Sequence, residues 1–370
     1  MRWRHDLHRI PETDFAEVAT AAYVAGVLGE LGLAVHTGIG GTGIIGVLET
    51  GRPGPRVGLR AELDALAMTE TADVPFASQH PGFMHACGHD GHMAMLLGAA
   101  ALLRNDSQLT GTVYFVFQPD EEHGHGAKAM LDDGMLTRFP MDAIYGMHNM
   151  PGLPAGQFAT RAGGIMASED NFVITIHGRG GHASSPHRVI DPLVIGAEIV
   201  LALQTIVARS VDPQTPAVVS CTEFITDGIR NAIPSTVVIK GDTRSYSAAV
   251  QQLLEQRMRD VCAGICAAHG ATAEVQYTHE FAPTVNPVSH LETALAAAQA
   301  VSDMPVLADI APLMGSEDFG LFLTQVPGNF LFIGNGVAGL PLHNAGYRFN
   351  DEILHVGARY FAEVVRRTHT

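Results

Sequence analysis

The chain has 370 residues, 46% hydrophobic and 16% charged, which gives enough apolar content for a globular protein of two domains. Its formal net charge of −16 argues against a nucleic-acid partner, because phosphate binding needs a basic face. Four cysteines make no disulfide framework at this length, and the opening Met-Arg-Trp-Arg-His-Asp has no apolar signal segment, so a reducing cytoplasm is expected.

In chain order, residues 13–31 predict a helix started after Pro11 and stopped by Gly32. Apolar runs at 56–61, 112–117 and 143–147 predict strands, each ending in polar residues: Glu62 and Asp64, then Asp120-Glu121-Glu122, then His148-Asn149. Helical segments near 93–104 and 124–132 lie between them. Near-continuous apolar strands alternating with helices indicate a buried, mostly parallel sheet, whose site lies beyond the carboxyl ends of its strands.

Between the first two strands stands Met84-His85-Ala86-Cys87-Gly88-His89-Asp90-Gly91-His92-Met93. Thiolate and imidazole together favour zinc or its first-row neighbours over magnesium or calcium. Gly88 and Gly91 predict a turn, in which Cys87 and His89, two apart, converge on one point while Asp90 caps the following helix. A His-rich loop beside a buried cysteine would look the same locally; the remaining motifs weigh against that.

From about residue 166 the pattern becomes β-α-β-β-α-β: strands at 171–177, 217–225, 235–243 and 271–281, with helices at 191–209 and 248–268. That is the ferredoxin-like split unit. The expected fold is therefore a mixed α/β catalytic domain, 1–166 and 282–370, with an inserted α+β domain, 167–281. The apolar run 193–203 contains Glu198 and is too short to span a bilayer, so no membrane partner is expected. A helix at 291–301, a Gly-Ser-Glu-Asp-Phe-Gly turn at 315–320, a strand at 329–333, a Pro-Leu-His loop at 341–343 and a closing helix at 351–367 complete the reading.

Glu121-Glu122 at a strand end is the second informative feature. Adjacent side chains on extended backbone diverge, so one carboxylate can bind metal while the other faces an attacking water. A solvated acidic turn is the plainer account of such a pair in isolation. His148, His182 and His343 are each, singly, compatible with an ordinary satisfied polar residue.

In combination these motifs resemble the M20 metallopeptidase/aminoacylase superfamily, in its amidohydrolase branch of hippurate hydrolases and indole-acetyl-amino-acid hydrolases. The resemblance runs over nearly the whole chain, through Arg4-His5-Asp6-Leu7-His8, Glu62-Leu63-Asp64, His85-Ala86-Cys87-Gly88-His89, Gln118-Pro119-Asp120-Glu121-Glu122, Gly146-Met147-His148-Asn149, Gly180-Gly181-His182-Ala183-Ser184, Ser316-Glu317-Asp318-Phe319 and Leu342-His343-Asn344. It implies a di-metal centre with Cys87, His89, Glu122, His148 and His343 as ligands, Cys87 in the bridging position. It implies Glu121 as general base, Asp64 as the carboxylate orienting a ligand, and His182 reaching a partner subunit's site to stabilise an oxyanion. A homodimer formed through the inserted lid domain follows. Asn231 and Arg244 fall where the family's lid contacts substrate. The chain departs from the family by beginning short of a preceding helix, by Glu62-Leu63-Asp64 in place of Asp-Met-Asp, and by His123-Gly124-His125 after the glutamates.

The expected reaction is hydrolysis of an N-acyl amino acid by metal-activated water, with zinc or manganese, or else cobalt or nickel, as the ion. Dipeptides or N-carbamoyl amino acids are alternative substrates for the same centre. A Cys87 thiol amidase and a non-catalytic metal-binding protein are the competing readings.

Overall fold

The structure is a computed structural model that describes residues 1–368. The chain divides into two compact units, the first comprising Met1–Ile165, Thr284–Pro312 and the chain from Glu317 on, the second Met166–Pro283 with Leu313–Ser316.

The first unit is built on a seven-stranded sheet in the order β1 (Ala34–Ile39), β2 (Gly43–Glu49), β4 (Thr112–Gln118), β3 (Arg56–Glu62), β5 (Ala143–Pro151), the strand Gly328–Gly336 and β6 (Phe158–Ala159). Its centre is parallel, β4 with β3, β3 with β5 and β5 with Gly328–Gly336, and its flanks are antiparallel. The central strands are buried throughout, as Val57, Leu59, Phe115, Phe117 and Tyr145 show, which is why they read as continuous apolar runs. Helix α3 (His89–Leu103) covers the sheet with Leu354–Thr368 packed beside it. The β1–β2 hairpin has no counterpart among the expected strands, because Gly38, Gly40, Gly41, Gly43 and Gly46 interrupt the apolar pattern that would mark it.

Three boundaries differ from expectation. Helix α2 spans Val18–Glu30 rather than beginning at Thr13, because the Glu12 carboxylate accepts the Ala19 and Thr20 N–H groups at 3.1 and 2.9 Å and caps the helix there. A short helix α1, Arg2–His8, precedes it. Helix α3 starts at His89 with Gly88, not Asp90, at its N-cap. Gly88 holds a left-handed φ of 96°, and a Cβ there would lie 2.1 Å from Asn149 Oδ1, so both the turn and the close approach require glycine. Asp90 instead sits in the first helical turn, 3.0 Å from Arg4 Nη1 and 2.7 Å from His8 Nδ1.

The second unit carries a four-stranded antiparallel sheet in the order Ala217–Thr226, Thr236–Ser245, Glu169–His177, Thr272–Phe281, with the helices Pro192–Ser210 and Ala248–His269 packed on it. Leu313–Ser316 joins this unit through backbone bonds from Ala167 N–H to the Leu313 and Gly315 carbonyls, a return of the chain that no local pattern signals. The helix Pro192–Ser210 is longer than the apolar run read from sequence; among the described residues it alone has the length and composition to cross a membrane, with mean hydropathy 1.6. Its Ile195, Ile199, Leu203 and Ile206 are buried in the unit's own core, each contributing about 2 kcal/mol. Val194 and Leu201 on the opposite face are exposed, as are Phe224 and Ile225 on the edge strand Ala217–Thr226.

Candidate metal centre

The carboxyl ends of β3 and β4, the interior of β5, the first residues of α3 and the loop holding His343 converge on one buried site. Parallel pairing in register aligns Glu62 with Gln118, so that Asp64 and Glu121-Glu122 emerge side by side. Asp64 Oδ2 accepts the Glu122 N–H at 2.9 Å. His148 lies within β5 rather than at its end, since the strand continues to Pro151. His343 enters from a half-exposed loop with a left-handed φ of 59°, held by its N–H on the Ala86 carbonyl at 3.0 Å.

His89 and His148 each have one ring nitrogen committed to an oxygen acceptor and the other among the candidate ligand atoms. His89 places Nδ1 2.9 Å from the Asp64 carbonyl oxygen and 3.2 Å from Asp64 Oδ1, leaving Nε2 buried without a hydrogen-bond partner. His148 places Nδ1 2.7 Å from the Asn149 carbonyl oxygen and Nε2 3.2 Å from Cys87 Sγ. Burial, with His92 nearby, lowers His148 to about 3, so its inward nitrogen keeps a free lone pair at neutral pH. His343 Nε2 approaches Glu122 Oε2 at 3.3 Å, while Glu122 Oε1 is a second buried atom without a partner. Glu121 Oε2 and Glu122 Oε1 stand 3.9 and 4.0 Å from His89 Nε2.

This donor set fits divalent ions. Cys87, His89 and His148 form one triad of donor atoms within 4.8 Å of each other, and Cys87, Glu122 and His343 form another, with Cys87 common to both. Two buried ligand atoms without partners, His89 Nε2 and Glu122 Oε1, stand in one enclosure with a thiol, further imidazoles and a second carboxylate, a donor set whose chemistry suits a divalent cation. The titration directions agree. Burial opposes charge on His89, yet Asp64, Glu62 and Glu122 outweigh it and raise His89 to about 10, so a positive charge is favoured at that position. Burial, then Glu122 and Glu121, pushes the Cys87 thiol well above its usual range in the absence of a cation.

Beneath these residues lies a buried ionic layer that sequence reasoning did not assign. Arg60 is fully buried; its Nη2 is 2.9 Å from both Glu317 Oε1 and Asp318 Oδ1, its Nε bonds Gln118 Oε1 at 2.8 Å, and its Nη1 pairs with Glu62. One guanidinium cannot neutralise that many carboxyls, and burial pushes Asp318 up to about 8. Glu121 is pushed well above the usual carboxylate range by burial and by Glu317, Glu122 and Asp318, against the opposing Arg60. His92 belongs to the same layer: Nδ1 sits 2.7 Å from Glu62 Oε2 and Nε2 2.7 Å from Asn149 Oδ1, so both its nitrogens are engaged. Only the alternation of buried charges along β3 and the presence of Glu317-Asp318 in a motif could have drawn attention to this layer.

The remaining expected residues lie in the second unit. His182 is exposed; the Ser184 N–H donates to its Nδ1 at 3.1 Å, which leaves the proton of the neutral ring on Nε2 as a donor. Asn231 is exposed, its carbonyl accepting the Ala183 N–H at 3.0 Å. The Arg244 guanidinium is engaged within the unit, 2.8 Å from Glu169, 3.0 Å from Asp242 and 2.5 Å from Ser316 Oγ.

A mixed α/β fold whose strand ends gather a cysteine, histidines and paired glutamates around one buried enclosure defines a dinuclear-metal hydrolase. The chain belongs to peptidase family M20/M25/M40, whose model matches residues 58–367. It is 38% identical over 363 residues to thermostable carboxypeptidase 2 of Saccharolobus solfataricus, covering 96% of this chain and 91% of that protein. It is 38% identical over 362 residues to hippurate hydrolase of Campylobacter jejuni, covering 98% and 94%. A crystal structure from Bacillus subtilis, described as a dinuclear metal-binding peptidase of the M20 family, superposes with a TM-score of 0.87 at 35% identity, covering 98% of this chain and 96% of that one. The protein is a metal-dependent amidohydrolase.

Proposed function

We propose that the enzyme hydrolyses the amide bond of N-acyl amino acids of the hippurate type, releasing a carboxylic acid and a free amino acid. The observation that carries this reading is the pair of donor triads sharing Cys87, with Glu121 beside them and outside both. Cys87, His89, Glu122, His148 and His343 would hold two divalent ions, zinc or manganese by preference and cobalt or nickel as substitutes. Bound there, the ions supply Lewis-acid polarisation of the amide carbonyl and acidify water.

The chain's own residues do the rest. Glu121 takes a proton from the attacking water and delivers it to the departing amine, a role suited to a carboxyl that burial and the neighbouring carboxyls hold well above its usual range. Asp64 orients His89 through Nδ1 and fixes the Glu122 backbone, holding two ligands with one carboxylate. His182, with its proton on Nε2, donates to the developing oxyanion of a partner subunit's site. Residues 1–166 and 282–370 act as the catalytic domain and 167–281 as a lid and dimerisation domain. Support for the homodimer comes from exposed Val194, Leu201, Phe224 and Ile225 on one helix and the edge strand of the second unit. Asn231 and Arg244 contact substrate in this scheme, Arg244 exchanging one of its internal partners to do so. Cytoplasmic residence accords with four free cysteines.

A peptide substrate is the second reading, favoured by the 38% identity to a carboxypeptidase. A Cys87 nucleophile is disfavoured, because burial and two neighbouring glutamates hold the thiol protonated and His148 is too weak a base to ionise it. The test is amino-acid release from hippurate, other N-acyl amino acids and dipeptides, using protein stripped with chelator and reloaded with single metals. Release restored by metal supports the proposal, and the best substrate decides between the two readings. Turnover surviving verified metal removal would overturn it.

A further inference from the structure

A second set of metal-type donors lies beside the centre and takes no part in it. His123 follows Glu121-Glu122 directly and His125 comes two residues later, and both approach the carboxylate that precedes the pair. Asp120 is 2% exposed; its Oδ1 lies 2.8 Å from His123 Nδ1 and its Oδ2 3.3 Å from His125 Nδ1. Asp14, from the loop before α2, adds an oxygen 3.2 Å from the same His123 Nδ1. Donor atoms of Asp14, Asp120 and His123 therefore all fall within 4.8 Å of one another. Donors about 2.0 Å from a tetrahedral zinc ion stand about 3.3 Å apart, so the separations fit one shared ion.

Two features set this cluster apart from a solvated acidic turn. Its central carboxylate is buried and offers one oxygen to each of two imidazoles. In addition Asp14, Phe15 and Asp120 all hold left-handed backbone, with φ of 57°, 59° and 44°. Each costs of order 1 kcal/mol or more and persists where the surroundings demand that geometry. His123, His125 and Asp14 remain at least half exposed, leaving the site open to ions from solution.

We propose that Asp14, Asp120 and His123, with His125 within reach as a fourth donor, form a peripheral divalent-cation site distinct from the hydrolytic centre. A mixed imidazole and carboxylate set suits zinc, cobalt or nickel over magnesium or calcium. An ion there would tie the turn that follows β4 to the loop at 13–15.

The test counts metal on the full chain. Wild type, D14N and H123A/H125A are stripped, dialysed to equilibrium against zinc or cobalt, and their metal content is measured per chain by mass spectrometry. Both variants should hold one ion fewer than wild type, while turnover of the metal-loaded enzyme persists. Equal metal content in wild type and either variant would overturn the proposal. Should the double variant fail to fold, D14N at an exposed loop position decides the matter by the same count.

Discussion

Asp64→Asn tests the central geometry most directly. The wild-type carboxylate serves two donors, His89 Nδ1–H at 3.2 Å and the Glu122 N–H at 2.9 Å. An asparagine amide has one acceptor oxygen, so the variant must turn its NH2 toward one of these donors. The Asp64 backbone carbonyl, 2.9 Å from His89 Nδ1, is untouched by the substitution and keeps the ring in its tautomer. What is lost is therefore a negative charge and one hydrogen bond, not the whole orientation of the ligand. Removal of such a partner typically lowers metal affinity 10- to 100-fold; with the carbonyl retained, the expected loss is about tenfold, or about 1.4 kcal/mol. Competitive chelator titration measures it, with thermal unfolding of the stripped protein as control for the fold. Wild-type affinity in a folded D64N protein would refute the orienting role, and a large fall in stripped-protein Tm without an affinity change would make Asp64 merely structural.

Three further outcomes are expected. Glu121→Gln should retain both ions by mass spectrometry and lose turnover by 100- to 10,000-fold, the usual contribution of a general acid–base group; intact turnover would remove Glu121 from that role. Gly91→Ala should destabilise the protein by about 1–3 kcal/mol in urea unfolding, since its Cβ would lie 2.2 Å from the Phe349 ring. Finally, His8 couples stability to pH. Burial opposes its charge, but Asp90 and Glu70 overcome this and raise it to about 9. A group raised in the folded state stabilises fully below its unfolded value of about 6.5, and this stabilisation is lost as pH rises through about 9. The loss should amount to about 3 kcal/mol and be absent in His8→Asn, as urea midpoints between pH 6 and 10 would register.

Much of the architecture is readable from local pattern. The parallel strands β3, β4 and β5 advertise themselves because burial on both faces leaves uninterrupted apolar runs, and their polar ends mark the site edge. The β-α-β-β-α-β order of the second unit is equally visible, since its strands and helices are long and cleanly periodic. The β1–β2 hairpin escapes notice because its glycines break the period, and the start of α2 is misplaced because the group that caps it, Glu12, lies outside the helix.

Residue types and spacing alone determined that Cys87 and His89 could share an ion, that paired glutamates could divide two tasks, and that a metal hydrolase of this family was in view. Tertiary structure alone decided the partners. Cys87 meets His148 across 61 positions, and Arg60 meets Asp318 across 258. His92, alike in type to His89 and three residues away, has both nitrogens spent on Glu62 and Asn149. Arg244 is engaged by Glu169, Asp242 and Ser316. The physical reason is the same in each case: a side chain's chemistry is local, whereas its protonation and its free lone pairs depend on which distant charges share its burial.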